Sequence, residues 1–351
     1  MKRIITCSDG TWNNPNQVYK GKPVSTNVQR IFEAICNSDE QQIQQIKYYD
    51  EGIGAEGSWL NRWIDGATGK GIDDNILNAY KFILWNYEPG DQLYLFGFSR
   101  GAYTARSLAG LIRNCGILKN DNLSLIKEAY RIYRARNPVT DPNGEVALAF
   151  KQKHSYYQNL RIKFIGVWDT VGSLGIPSRW FQWYNKKKYQ FHDTTLSSIT
   201  EYAYHALAID EKRSNFMPAL WEISNKVRSG EVNQLMEQVW FPGVHANIGG
   251  GYPDQGLSDI TLSWMIAKAT LSGLAFEKTY IETAIKPNVA GQLYDSKKFP
   301  FSLLPDYIRP VCKDALANET VNPAAYKRME VVPGYHPKNL EEIKFDQSVS
   351  V

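Results

Sequence analysis

A serine between two glycines is the residue of this sequence best suited to covalent chemistry. Ser99 is the centre of a Gly-x-Ser-x-Gly pattern at 97–101, after the apolar run 92–96 and before the helical run 102–112. A strand-to-helix turn holds such a serine in a crowded conformation that glycines accommodate, and it exposes the hydroxyl at the sheet edge. The pattern predicts a nucleophile for acyl carbonyls; a serine that only caps the helix is the alternative.

Backbone N–H groups near this serine are expected to stabilise the oxyanion that its attack would form. Arg100 begins the predicted helix, so its N–H group is the first candidate donor. The loop 7–14 after the first predicted strand is expected to supply a second donor, and Thr11 is the candidate. A tight turn in which Asp9 bonds its own backbone is the alternative for this loop.

A serine nucleophile of this kind needs an acid and a histidine base later in the chain. Of the 5 histidines, His245 is the candidate base because it follows the predicted strand 238–241 in a glycine-rich loop. Asp169 is the candidate acid because it directly follows the apolar strand 162–168, and Asp210 is the second choice. The alternatives are a structural role for the histidine and an Asx turn at the acid.

The elements that must position these residues alternate between strands and helices. Apolar runs and helical periodicity predict strands at 3–7, 46–49, 92–96, 162–168 and 238–241, and helices at 27–35, 75–85, 102–112, 123–133 and 258–271. This alternation is typical of an α/β fold, with a mostly parallel sheet and helices on both faces. A further helix is predicted over 196–209, where His205 would be a core or pocket-lining residue.

The length of 351 residues is compatible with one catalytic domain that carries insertions. Residues 1–299 are predicted to form an α/β-hydrolase domain, with a cap-like insertion at about 173–235 between the acid and the histidine. Residues 300–351 are rich in proline and are predicted to be a C-terminal extension packed on the surface.

The charge balance and the aromatic residues indicate the kind of partner. A net charge of +4, from 40 basic and 36 acidic residues, is too balanced to favour nucleic acid. An acyl ester, including that of a lipid, is the expected substrate. Trp180, Phe181, Trp183 and Tyr184 precede lysines 186–188 and could make peripheral contact with an anionic membrane. Packing of these rings on the protein body is the alternative.

The four cysteines are widely spaced and form no Cys-x-x-Cys pair, so neither a metal nor another cofactor is expected. The N-terminal apolar run stops at Cys7, which is too short for a signal peptide, and no run approaches 18 apolar residues. The chain is expected to be made as a cytoplasmic protein, with export by a route that leaves no N-terminal signal still open.

Five stretches of the sequence together resemble a family of largely uncharacterised α/β-hydrolase domains that includes the first family of type VI secretion phospholipase effectors. The stretches are 7–13, 97–106, 166–172, 205–211 and 240–252. The resemblance implies an α/β-hydrolase fold, a triad of Ser99, Asp169 and His245 and, for the effector members, cleavage of phospholipid acyl esters. Outside its proline-rich tail, the sequence has no counterpart of the effectors' additional membrane-engaging region.

The sequence therefore predicts a serine esterase or lipase, with phospholipase A activity as one form. The serine would carry an acyl group that water then removes. Two alternatives stay open. One is a non-lipid esterase or an acyltransferase with the same triad, and the other is a binding module that keeps the hydrolase fold without catalysis.

Overall fold

A computed structural model describes residues 1–10, 18–19, 21–51, 70–135, 137–171, 195–297, 305–341 and 343. The strands in these ranges are β1 (Arg3–Ser8), β2 (Val18–Tyr19), β3 (Lys22–Pro23), β4 (Gln45–Asp50), β5 (Gln92–Phe98), β6 (Ile117–Leu118), β7 (Ser155–Tyr156), β8 (Ile162–Trp168), β9 (Thr200–Ala208), β10 (Leu235–Phe241) and β11 (Glu319–Val321). The α-helices are α1 (Asn27–Ala34), α2 (Lys70–Asn86), α3 (Arg100–Cys115), α4 (Ile126–Ala135), α5 (Glu145–His154), α6 (Asn225–Arg228), α7 (His245–Gly249), α8 (Gly256–Leu271), α9 (Lys278–Ala284) and α10 (Pro323–Val331).

Within the described residues, a seven-stranded sheet forms the centre of the fold. Its strand order is β11-β10-β9-β8-β5-β1-β4, and every neighbouring pair is parallel. The chain moves from β1 outward to β4, then returns to β5 on the other side of β1 and continues in that direction. Ligand clefts in such sheets form at the carboxyl ends of the strands where the direction reverses. The predicted α/β fold with a mostly parallel sheet is confirmed.

Alternate side chains of the central strands pack on opposite faces of the sheet. On β5, Leu93 and Leu95 join a cluster that includes side chains of α2, α3 and α4. Their neighbours Tyr94 and Phe96 join a second cluster with side chains of α1 and α8. Successive side chains of a strand point to opposite faces of the sheet. When both sets are apolar, helices must cover both faces to bury them. This arrangement explains why the central strands appear as continuous apolar runs.

The helix predicted over 196–209 is wrong, because residues 200–208 form strand β9 between β8 and β10. The strand combines three alanines with tyrosine, histidine and leucine, and Ala203, His205 and Ala206 are fully buried. A short apolar run of this kind fits a buried strand and a buried helix equally well, so periodicity alone does not separate them. The expected insertion at about 173–235 is thus interrupted by a strand of the sheet, and its part at 173–194 lies outside the described residues.

The C-terminal extension takes part in the fold. Strand β11 pairs with β10 at the edge of the sheet, and Val311, Ala325 and Leu340 pack with Leu207 and Trp240. The described part of the predicted extension thus contributes an edge strand and buried side chains in addition to its packing on the domain. No helix of the described ranges is long and apolar enough to cross a membrane.

Candidate active site

The strand-to-helix turn at Ser99 has the strained geometry that its sequence predicts. Ser99 follows β5 and precedes α3, with φ of 57° and ψ of −117°, a conformation that non-glycine residues rarely adopt. Its N–H group donates to the carbonyl of Trp168 at 3.0 Å. The Ser99 side chain makes no capping hydrogen bond to α3. The alternative that Ser99 only caps the helix is therefore wrong.

The two flanking glycines are required by close backbone contacts. A Cβ atom on Gly97 would overlap the backbone of Gly101, and a Cβ atom on Gly101 would overlap the carbonyl oxygen of Ser8. Because neither position has room for a side chain, the N-terminus of α3 can pack directly against the end of β1. This contact fixes the turn that presents Ser99.

The structure brings Ser99, Asp169 and His245 into one hydrogen-bonded row. The Nε2 atom of His245 lies 2.9 Å from Ser99 Oγ, and its Nδ1 atom lies 2.5 Å from Asp169 Oδ2. The three residues are only 8%, 6% and 0% exposed for Ser99, His245 and Asp169 respectively. Because an ionised carboxylate only accepts hydrogen bonds, the proton of the neutral ring lies on Nδ1 and the lone pair of Nε2 faces the serine hydroxyl.

His245 is held by a hydrogen bond of its backbone and by contacts of its ring with two aromatic rings. His245 is the first residue of α7, and its N–H group donates to Glu211 Oε2 at 3.2 Å. The imidazole lies 4.7 Å from the ring of Phe98 and 4.9 Å from that of Phe216. Gly249, at the end of α7, leaves the space that Phe98 occupies. These contacts limit rotation of the ring away from Ser99.

A buried arginine from the C-terminal extension holds Asp169. The Nη1 atom of Arg309 donates to Asp169 Oδ1 at 2.6 Å, and its Nη2 atom donates to Oδ2 at 3.0 Å. The same guanidinium donates to the carbonyls of Ala208 and Phe216. The Ala208 N–H group donates to Asp169 Oδ1 at 3.1 Å. The Asp169 carboxylate is thus bonded to other elements of the fold, which argues against a simple Asx turn.

Sequence reasoning missed Arg309. It lies 140 residues after Asp169 in a segment without clear periodicity. The one signal present is a single arginine between apolar neighbours, in the stretch 307–311. Arg309 is 1% exposed, and arginine is rarely buried without a partner. A carboxylate partner for Arg309 could have been expected on that ground.

The charges around the row leave an ionised acid and a neutral base. Burial alone would raise the pKa of Asp169, but the charges of Arg309 and His245 and their hydrogen bonds hold it well below its usual range. Burial lowers the pKa of His245 below its ordinary value, although the Asp169 carboxylate raises it. The ring is therefore unprotonated near neutral pH and can accept a proton from Ser99.

Of the two predicted oxyanion donors, the structure describes Arg100 and does not describe Thr11. Arg100 is the first residue of α3 and adjoins Ser99, so its N–H group lies at the helix N-terminus. Thr11 lies outside the described residues. At the start of that loop, Asp9 accepts hydrogen bonds from the Gly10 N–H group at 2.6 Å and from the Tyr49 hydroxyl at 2.6 Å. Asp9 thus bonds the backbone N–H group of the next residue, and the rest of the loop, at 11–17, lies outside the described residues.

The remaining predicted residues have other roles or are not described. Asp210, the second choice for the acid, accepts hydrogen bonds from the Gly243 N–H group at 2.7 Å and the Tyr335 hydroxyl at 2.8 Å. The aromatic residues proposed for membrane contact lie outside the described residues: Trp180, Phe181, Trp183 and Tyr184. Among the described residues, no three His, Cys, Asp or Glu side chains are grouped to hold a metal ion.

A parallel sheet with a serine at a strained strand-to-helix turn places the protein in the α/β-hydrolase class of folds. A family model, described as the catalytic domain of Tle1-like phospholipase effectors of the type VI secretion system, matches residues 2–268. The chain belongs to this family. The resemblance inferred from the five sequence stretches is thereby confirmed.

Individual relatives are longer than this chain. An uncharacterized protein of Saccharomyces cerevisiae is 33% identical over 233 residues, which cover 61% of this chain and 32% of the yeast protein. An uncharacterized protein from Pseudomonas aeruginosa is 18% identical, with a TM-score of 0.47 and coverage of 82% of this chain and 49% of that chain. The Tle1 effector, in a structure bound to the VgrG spike of the type VI secretion system, is 22% identical, with a TM-score of 0.39 and coverage of 72% and 52%. The chain thus spans about a third of the yeast relative and about half of the solved chains.

Proposed function

We propose that this protein is a serine hydrolase that cleaves carboxylic esters of lipids through an acyl-enzyme on Ser99. The observation that carries the proposal is the row of hydrogen bonds from Ser99 through His245 to Asp169. In this row the serine hydroxyl is hydrogen-bonded to a neutral imidazole, and the carboxylate holds the other ring nitrogen. The hydroxyl can therefore pass its proton to the imidazole while the serine oxygen attacks a carbonyl.

The proposed reaction has two stages. In the first stage, Ser99 Oγ bonds to the ester carbonyl carbon while His245 Nε2 takes the hydroxyl proton. The intermediate then collapses, the imidazolium returns the proton to the departing alcohol, and the acyl group stays on Ser99. In the second stage, water attacks the acyl carbon while His245 takes a proton from the water. The bond from Ser99 Oγ to the acyl carbon then breaks, the imidazolium returns the proton to Oγ, and the carboxylic acid leaves. Asp169 remains ionised throughout and stabilises the imidazolium.

Two backbone groups are proposed to bind the oxyanion. The Arg100 N–H group is the first, because it adjoins the nucleophile at the N-terminus of α3. Thr11 is proposed as the second donor because the loop that carries it follows β1, and the end of β1 contacts Gly101 of the turn. Hydrogen bonds to the developing negative charge stabilise the transition state more than the bound ester.

The lipid part of the proposal is supported by the family, whose description is that of phospholipase effectors. We propose a phospholipase A activity, in which the ester oxygen that leaves belongs to a lysophospholipid. The aromatic residues Trp180, Phe181, Trp183 and Tyr184, followed by lysines 186–188, are proposed to contact the surface of the lipid layer.

The role of Ser99 can be tested by removing its hydroxyl. Ser99→Ala is expected to lower kcat for short-chain acyl esters by at least about 10⁴-fold, because the proposed acyl-enzyme forms on the hydroxyl that the variant lacks. Steady-state hydrolysis and covalent labelling with a fluorophosphonate probe would measure the loss. Ser107→Ala, which removes a buried hydroxyl further along α3, is the matched control and should be labelled as the wild type is. Unchanged activity of Ser99→Ala would disprove the assignment.

The substrate class needs a separate measurement with the wild-type protein. Phospholipid vesicles with and without anionic lipid are compared with soluble short-chain esters. Release of fatty acid and lysophospholipid in equal amounts is expected, faster on the anionic vesicles. Hydrolysis of the soluble esters alone would reject the lipid substrate and keep the serine hydrolase.

A further inference from the structure

The cation that faces the Asp169 carboxylate is the most unusual feature of the candidate site. Arg309 makes a two-pronged ion pair with both carboxylate oxygens, and the paired side chains are both 0% exposed. Its guanidinium also donates to two backbone carbonyls, those of Ala208 and Phe216. Such a fork fixes both the position and the plane of the carboxylate.

The ion pair also changes the net charge next to the His245 ring. An acid beside a histidine normally stabilises the imidazolium, because the negative charge of the acid is not otherwise balanced. Here Arg309 already balances the charge of Asp169. A proton on His245 would therefore leave a net positive charge in a buried site, and burial makes such a charge costly.

The second carboxylate near His245 is balanced in the same way. Glu211 accepts the N–H group of His245 and is paired with Arg213, whose Nε and Nη2 atoms lie 2.8 Å and 2.9 Å from its oxygens. Burial would raise the pKa of Glu211, but Arg213 lowers it to about 2. The other neighbours of the ring, Phe98 and Phe216, are uncharged. Each described carboxylate next to His245 thus has an arginine of its own.

We propose that Arg309 is a positioning residue of this active site, which orients Asp169 and keeps His245 unprotonated at mildly acidic pH. The inference rests on the proposed function for its catalytic meaning. Arg309 lies beyond residues 2–268, where the family model matches, so the C-terminal extension supplies part of the active site. The extension would then influence the proton transfer through the positive charge of Arg309.

Removing the charge while keeping a polar side chain tests the proposal. Arg309→Gln is expected to raise the midpoint of the His245 titration by roughly one to two pH units, because the Asp169 charge is no longer balanced. The midpoint is read by NMR from labelled histidine in the Ser99→Ala background. The acidic limb of the kcat/KM profile, with Ser99 intact, should move to higher pH by the same amount.

Arg309→Lys separates charge from geometry. The ammonium keeps the positive charge but cannot form the fork, so the midpoint should stay within a few tenths of a pH unit while kcat falls about tenfold or more. Arg328→Gln is the matched control, because Arg328 is a buried arginine of the same extension that donates to the carbonyls of Val289 and Gly291. It should leave the midpoint unchanged.

The outcomes are distinct. A midpoint that is unchanged in Arg309→Gln, or that rises as much in Arg309→Lys or Arg328→Gln, overturns the proposal. If Arg309→Gln does not fold, the Arg309→Lys result still decides, because a rise of a full unit with the charge retained contradicts it. Activity that survives Ser99→Ala would reject the proposed function, whereas the NMR titration tests Arg309 without any turnover.

Discussion

Two histidines, His245 and His205, lie buried in the same part of the fold and have different chemical partners. His245 is bonded to the Asp169 carboxylate and the Ser99 hydroxyl. His205, on β9, accepts the Thr170 N–H group on Nε2 at 3.0 Å, and its Nδ1 atom lies 3.1 Å from the Gln238 amide oxygen. Burial lowers the pKa of both rings.

The difference between these partners decides what each ring can do. Because Nε2 of His205 accepts a hydrogen bond from the Thr170 N–H group, its Nδ1 atom must donate to the amide oxygen of Gln238, and both nitrogens are occupied. Protonation would break the bond to Thr170, and burial and the charge of Arg106 lower the pKa of His205 to about 3. His245 instead directs its free lone pair at a hydroxyl. Burial alone therefore does not mark a base; the group facing the unprotonated nitrogen does.

The largest expected effect comes from removing the ring that faces Ser99. His245→Ala is expected to lower kcat by at least about 10⁴-fold, because no other described group is placed to take the hydroxyl proton. Thermal unfolding should show that the variant remains folded. A residual activity within tenfold of the wild type would mean that His245 is not the base.

An intermediate effect is expected from the other ring. His205→Leu leaves the Thr170 N–H group without its partner and removes one of the hydrogen bonds of Gln238 Oε1, which still accepts the Trp221 N–H group. This should lower the free energy of unfolding by about 3 kcal/mol. Since Thr170 follows Asp169, kcat/KM should fall by about tenfold through a small displacement of the acid. Urea unfolding and steady-state kinetics provide the two measurements. A kinetic loss as large as that of His245→Ala, with unchanged stability, would place His205 in the chemistry.

The smallest effect is the change in stability between pH 7.5 and 5, about 2 kcal/mol. The folded-state pKa of His205, about 3, is below the ordinary value of 6.5, so the unfolded chain binds a proton that the folded chain does not. Stability from this residue is fully present above pH 6.5 and decreases by up to about 1.4 kcal/mol per pH unit as the pH falls toward 3. Urea unfolding at pH 7.5, 6 and 5 should show a steeper fall in the wild type than in His205→Leu. Equal slopes would contradict a neutral, buried His205.

The row of catalytic candidates could be predicted because each of its residues leaves a local signal. Ser99, Asp169 and His245 each follow closely after an apolar strand, and the carboxyl ends of parallel strands share one edge. The glycines at 97 and 101 mark a backbone contact that no other residue permits. Local patterns of this kind are sufficient to propose the site, and the structure shows the distances within it.

Other parts of the molecule depend on contacts between distant residues, and they were missed or assigned wrongly. Strand β9 has a composition that fits a buried helix equally well, and only its pairing with β8 and β10 decides the matter. Strand β11 has three residues, too few for a period to be visible. Arg309 is recognised only through Asp169, a partner far away in the chain. Sequence periodicity contains no information on such pairings.

The distance along the chain between Asp169 and Arg309 sets an order of events during synthesis. A ribosome adds roughly 5–20 residues per second, from the N-terminus onward. Ser99, Asp169 and His245 therefore leave the ribosome before the arginine that lies 140 residues after the acid. During that interval, the nascent chain has its three candidate catalytic residues but lacks the cation that balances the acid. Translation of the C-terminal extension is thus the step that would complete the proposed site.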